Sequence, residues 1–284
     1  MSTRRAITRL MLATAFGAAV AGDAGAQARA DIPLPSWEQD PKFAEIAIDA
    51  SSGTVLYGHN ATARRHIASL TKVMTAYLVF EAFAAGKLTP DQALPVSARA
   101  AALYSKKLPL TAGQTMKTRE ALNAITSISS NGATVVLAEA VAGSESAFAD
   151  KMTEKAKALG AANTVWKTSS GLTAEGQFST AYDIAIVFAA LKRDYPAAFE
   201  KYFSARTVTV RGVERGNCSY CGSFNIVGHK SGFTNAAGKC WMAATENGPS
   251  SRIIVSLGAP ANPKTPSLAA NRVLKIASAL QKNP

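Results

Sequence analysis

Apolar positions along the chain run as strands, then helices, then strands. Residues 44–49 and 54–57 are short apolar runs on either side of Asp49, Ala50, Ser51, Ser52 and Gly53. They predict a β-hairpin. Residues 68–85 form a longer apolar block and predict a helix ending near Gly86. Helical blocks at 119–128, 133–142, 147–159 and 181–191 follow, broken by Gly143, Gly160 and Gly171. Strand-like runs return at 207–210, 226–230, 240–245 and 252–257. Residues 267–281 close the pattern as an amphipathic helix with Ala269, Val273, Ile276 and Leu280 on one stripe. Pro33, Pro35 and Pro41 make residues 31–42 an extended lead-in.

An early hairpin has to find late strands to pair with. The expected fold is therefore α/β of the α+β type, with one antiparallel sheet built from both chain ends and a mainly helical insertion over about 86–190. No repeat, low-complexity linker or stalk domain after the sheet is evident, so residues 29–284 are expected to form one domain. The last helix is read as packing on the sheet. As a membrane anchor it would need a strongly cationic polar face or large aromatics.

Residues 2–9 carry Arg4, Arg5 and Arg9, residues 10–22 are uncharged and mostly apolar, and Ala24, Ala26 and Ala28 follow. This predicts a cleaved secretory signal over 1–28, with cleavage after Ala26 or Ala28; a buried N-terminal helix is the competing reading. The apolar stretch is too short to span a bilayer, which takes about 20 residues. The expected location is the periplasm or cell-wall space, with no integral membrane anchor. A chain of 284 residues that is 48% hydrophobic and 18% charged is not a disordered one. Its net charge is +12; without residues 1–28 it keeps 28 basic and 18 acidic residues, a net +10. An exported basic protein seldom meets nucleic acid, so an anionic wall polymer or membrane face is the better partner.

Three motifs can carry chemistry. Ser69 and Lys72 stand one helical turn apart at a helix start. A lysine kept neutral can take the proton of a serine nucleophile, and a helix start offers N–H groups to an oxyanion. Ser129, Ser130 and Asn131 lie between two helices, where a hydroxyl can relay a proton and an amide can hold a carbonyl. Lys230, Ser231 and Gly232 lie on a late strand, where an ammonium and a hydroxyl can hold a carboxylate and a glycine admits a substrate backbone. Each alone has a plain structural reading: a capping serine, a loop, a strand end. Their order and their element types together match the set shared by penicillin-binding proteins and class A β-lactamases.

On these residues the chain resembles the low-molecular-weight penicillin-binding proteins, the serine D-alanyl-D-alanine carboxypeptidases. The resemblance runs from about Ala44 to the C-terminus. It includes residues 68–76 around the nucleophile, 159–164, Gly171, Leu172, 179–183, and 228–240 around the lysine strand. It implies a β-lactamase/transpeptidase-like fold, a peptidoglycan stem peptide as substrate, β-lactams as covalent inhibitors, and no metal or cofactor. Carried over, Ser69 is the acyl-forming nucleophile, Lys72 its base, and Ser129 the proton relay to the leaving amine. Asn131 orients the peptide, Lys230 and Ser231 hold the carboxylate, and the N–H groups of Ser69 and Phe233 form the oxyanion hole beside Gly232.

Some positions depart from the family pattern. Ser231 replaces the commoner threonine, and Gly132 stands where an acid is usual. Residues 211–221 are unlike the family; Arg211 and Arg215 are either carboxylate ligands or solvated charges. Cys218 and Cys221 lack further metal ligands at a similar spacing. They are expected to form a loop disulfide with Cys240 a buried thiol, while pairing of Cys240 with either stays open. His59 and His66 read as surface or packing residues, and His229 as facing away from Lys230. Rival readings are a β-lactamase, for which the loop over 166–177 offers only Glu175 as a water-activating acid, a wall-binding or β-lactam-sensing module without turnover, and a plain exported binding protein.

Overall fold

The computed structural model describes residues 32–103, 105–261 and 268–282, so the expected signal segment lies outside the described residues. The strands are β1 (Ala44–Asp49), β2 (Val55–His59), β3 (Ala93–Pro95), β4 (Thr115–Lys117), β5 (Thr207–Val210), β6 (Val213–Gly216), β7 (Ile226–Thr234), β8 (Gly238–Asn247) and β9 (Ser250–Ala259). The helices are α1 (Lys72–Ala84), α2 (Ala98–Ala102), α3 (Thr118–Ser127), α4 (Asn131–Ala142), α5 (Glu145–Ala158), α6 (Ala181–Asp194), α7 (Pro196–Phe199) and α8 (Leu268–Lys282).

The main sheet has five strands in the order β2-β1-β9-β8-β7, and its paired strands are antiparallel. The hairpin does pair with the end of the chain: Ile46 stands opposite Val255 and Ile48 opposite Ile253. Strand alternation splits the inner strands between two cores. Ile46, Ile48, Met242, Ile253 and Val255 face the helical region. Ala47, Trp241, Ala243 and Ile254 face α8, which presents Val273, Ile276 and Leu280 to them. Burial on both faces is why these strands are nearly continuous apolar runs.

A buried ion pair pins α8 to the sheet. Arg272 donates to both carboxylate oxygens of Glu45 on β1, at 2.7 and 2.6 Å, and Tyr57 donates its hydroxyl proton to Glu45 at 2.9 Å. Hydrogen bonds from both sides keep the buried charges from being left unpaired. Among the described residues, no helix is long and apolar enough to cross a membrane.

Two expectations are corrected. Residues 207–210 do not join the main sheet: β5 pairs with β6 as a separate ribbon, Val208 opposite Arg215, and packs against α3, where Asn123 donates to the Thr209 carbonyl at 2.8 Å. A four-residue apolar alternation shows one buried face but not which neighbour buries it. Residues 36–42 are turns rather than extended lead-in, closed by backbone bonds such as Asp40 N–H to Trp37 O at 2.9 Å. The ribbon of β3 and β4 and the short helix α2 were not legible, being only three to five residues long.

Candidate active site

Ser69 sits in a 3-10 turn, Ala68–Thr71, that runs directly into α1 with Lys72 as its first residue. Ala68 has the left-handed φ of 49°, which turns the chain sharply just before the serine. Lys72 is 1% exposed. Its Nζ has three oxygen neighbours: Ser69 Oγ at 2.8 Å, Asn131 Oδ1 at 2.8 Å and the carbonyl of Ser170 at 2.7 Å. Burial, reinforced by the charge of Lys230, holds the Lys72 pKa well below the ordinary lysine value. A neutral amine has two N–H donors and one lone pair. The two carbonyl oxygens take the donors, which leaves the lone pair to accept the Ser69 hydroxyl proton. A protonated amine meets the same three oxygens as a triple donor, so both states are satisfied in place.

The second motif divides its labour. Ser130 is buried and caps α4, its hydroxyl accepting from the N–H of Ala133 at 3.3 Å. That cap fixes its neighbours: Ser129 adopts a left-handed φ of 57°, and Asn131 begins the helix. The third motif supplies Lys230, 2% exposed, on the free edge strand β7. Its Nζ lies 3.1 Å from Ser129 Oγ and 2.8 Å from the carbonyl of Ser231. Burial lowers its pKa to about 7.

Pleat alternation places Ser231 and Phe233 on the other face of β7 from Lys230, and both are exposed. His229 shares that face and stacks on Trp241 at 4.9 Å between ring centroids, away from the lysines as expected. Gly232 is a point of close approach: a Cβ there would stand 2.7 Å from the backbone nitrogen of Ser69. Absence of a side chain is what lets β7 lie against the turn that carries Ser69. The structure thus brings Ser69, Lys72, Ser129, Asn131, Lys230 and Gly232 into one place from a helix start, a helix cap and an edge strand.

The residues that sequence reasoning missed lie in the loop from 169 to 171. Ser170 supplies a carbonyl to Lys72, and Ser169 O accepts from Thr75 Oγ1 at 2.6 Å, tying the loop to α1. Backbone carbonyls leave no residue-type signature. The signal that could have found them is Gly171, whose φ of +82° marks a forced turn. Arg211 and Arg215 reach across to the segment between α2 and α3: Arg211 donates to Gln114 Oε1 at 3.4 Å, and Arg215 to the carbonyl of Lys107 at 3.2 Å. Cys218 and Cys221 are joined in a disulfide and Cys240 is a buried free thiol.

A serine set against a buried amine, with a second buried amine reaching a second hydroxyl, on an antiparallel sheet closed by both chain ends, defines the penicillin-binding class of serine acyl-transfer proteins. The comparison with known families agrees. The model of the S11 peptidases, described as D-alanyl-D-alanine carboxypeptidase, matches residues 38–261, and the chain belongs to that family. It is 33% identical over 237 residues to the D-alanyl-D-alanine carboxypeptidase DacF of Bacillus subtilis, covering 82% of this chain and 61% of that protein. It is 29% identical over 253 residues to a D-alanyl-D-alanine endopeptidase of Pseudomonas aeruginosa, covering 85% of this chain and 78% of that one. The chain therefore spans about three fifths of the carboxypeptidase's length. Among solved structures, penicillin-binding protein D2 of Listeria monocytogenes in its cefotaxime-bound form superposes with a TM-score of 0.70 at 27% identity, over 83% of this chain and 96% of that one.

Proposed function

We propose that the chain hydrolyses the D-alanyl-D-alanine end of peptidoglycan stem peptides, or a D,D cross-bridge between them, through an acyl-Ser69 intermediate, and that β-lactams acylate the same serine. The observation that carries this reading is the 2.8 Å approach of Ser69 Oγ to the Lys72 amine, whose pKa burial holds well below the ordinary lysine value. Lys72 takes the serine proton as Oγ attacks the penultimate D-alanine carbonyl. The Ser69 N–H, pressed against β7, and the Phe233 N–H stabilise the oxyanion. Lys230 holds the terminal carboxylate beside the edge strand β7, Ser231 borders that position from the strand's exposed face, and Asn131 orients the peptide. Ser129 passes the proton to the leaving amine, and Lys230, 3.1 Å away, keeps that hydroxyl polarised. Water then cleaves the ester with Lys72 again as base. No cofactor enters these steps.

The 1–28 segment supports an exported, periplasmic or wall-space enzyme, in keeping with a wall substrate. The β-lactamase alternative is less well supported. Among the described residues the oxygens bonded to Lys72 are a hydroxyl, an amide and a backbone carbonyl, and Glu175 is exposed. The test is intact-protein mass over time with a penicillin, with Ser69→Ala alongside. A long-lived adduct on the wild type alone is expected. Rapid loss of adduct with drug turnover would favour the β-lactamase, and no adduct would end the acyl-serine reading.

A further inference from the structure

The molecule has a second opening that the reaction above does not use. It is a cleft of about 220 Å³ lined by Lys42, Arg64, Arg65, His66, Phe178 and Ala236. Four stretches meet there: the entry to β1, the segment just ahead of Ser69, the segment before α6 that carries Phe178, and the hairpin between β7 and β8. Their backbones are tied together. Arg65 and Ser179 exchange N–H to carbonyl bonds of 2.7 and 3.0 Å, and Lys42 Nζ donates to the carbonyl of Asn235 at 3.2 Å.

The cations are oriented by neighbours, although Lys42 and Arg64 are exposed. The Arg64 guanidinium lies 4.3 Å from the ring centroid of Phe178, which orients its planar fork. Arg65 donates from one terminal nitrogen to the carbonyl of Arg64 at 2.9 Å, but its Nε is buried with no partner. The lining contains no carboxylate. Asp40 is the acid nearby: it attracts Arg65, and its Oδ1 accepts the backbone N–H of Lys42 at 2.9 Å. Among the described residues none of Lys42, Arg64 and Arg65 forms an ion pair. Three cations, a lining without a carboxylate and an unmet buried donor make a site for an anion.

We propose that this cleft binds a carboxylate of the peptidoglycan substrate other than the one at the scissile terminus, and so selects for polymer over short peptide. This rests on the reading under Proposed function. His66 is three residues ahead of Ser69, so their Cα atoms are within roughly 10 Å. A stem peptide advances about 3.3 Å per residue, so a few residues carry a side carboxylate from the cleaved bond to the cleft.

The test is turnover of insoluble peptidoglycan and of an N-acylated Lys-D-Ala-D-Ala tripeptide by the wild type and by Lys42→Gln/Arg64→Gln, both exposed positions. The ratio of kcat/KM on polymer to that on tripeptide is expected to fall about tenfold in the variant at low salt, and the difference to close at high salt. An unchanged ratio overturns the proposal. So does an unchanged ratio combined with lost binding to phosphatidylglycerol vesicles, which would make the ligand a lipid phosphate. Cosedimentation with peptidoglycan scores the cleft separately from catalysis. A wild type that takes no penicillin but still sediments through Lys42 and Arg64 would defeat the enzymatic reading and keep the cleft.

Discussion

Gly171 lies directly against Ala68: a Cβ at 171 would stand 1.9 Å from the Ala68 carbonyl oxygen and 2.7 Å from Thr71 Oγ1. Ala68 is the residue before Ser69, and Gly171 follows the carbonyl that accepts from Lys72. One tight contact thus sets the position of both. Gly171→Ala combines that overlap with a φ of +82° that an L side chain rarely adopts. It is expected to lower unfolding free energy by about 2–4 kcal/mol and to slow penicillin acylation. Urea denaturation and adduct kinetics check it; wild-type values for both would show that the loop does not set the turn.

In the mechanism proposed above, the two lysines make opposite demands on pH. Lys72 must be neutral to act as base, so kcat/KM falls as pH drops through its lowered pKa. Lys230 must be charged to hold a carboxylate, and with a pKa of about 7 it loses that charge as pH rises. A bell-shaped profile of kcat/KM is expected, with the alkaline limb owned by Lys230. Lys230→Arg, which stays charged, should remove that limb. An alkaline limb that survives the substitution would assign it to another group.

Stability should carry the mark of Lys230 as well. Its folded pKa lies below the unfolded value, so between about 7 and about 10.4 the unfolded chain holds more protons and stability rises with pH. Lys230→Met is expected to flatten that rise by up to about 1.4 kcal/mol per pH unit within the window. Denaturant titrations across pH 6 to 10 read this directly; an unaltered slope would mean that Lys230 keeps its ordinary pKa.

Gly132, where the resemblance led to an expected acid, is occupied space rather than a gap. A Cβ there would meet the Ala100 carbonyl oxygen at 2.7 Å and Leu110 Cδ1 at 2.8 Å. Gly132→Asp should therefore destabilise the fold by about 1–3 kcal/mol, because a carboxylate is pushed against a carbonyl and an apolar side chain. A thermal shift of zero or upward would show that the 98–110 segment moves aside at no cost.

Lys72→Met keeps a long side chain at a buried position but removes the proposed base. Acylation of Ser69 is expected to slow by about 10²–10⁴-fold. The carbonyls of Asn131 and Ser170 also lose their donor, so part of the effect should appear as lost stability, about 1–3 kcal/mol for each oxygen left bare. Comparing the acylation rate with the melting curve separates the two contributions.

Much of this molecule follows from local rules. The hairpin, the helix after Ser69, the helical middle and the late strands are carried by short-range period and by glycine stops, and α8 shows its stripe of Val273, Ile276 and Leu280 in one dimension. The motif residues are legible because acyl transfer needs particular side chains, and those have names in the sequence. Other features depend on which segments meet. The ribbon of β5 and β6, the Glu45–Arg272 pair across more than two hundred residues, the carbonyl of Ser170 on Lys72 and the basic cleft at Arg64 are all of that kind. A backbone carbonyl is the same on every residue, and a lysine becomes a base only once its water is removed. Which side chains are available, and which elements hold them, can be read along the chain. Which of them are buried, which touch, and so which pKa values move follows only from folding, because burial and contact belong to the packed chain and not to any one stretch of it.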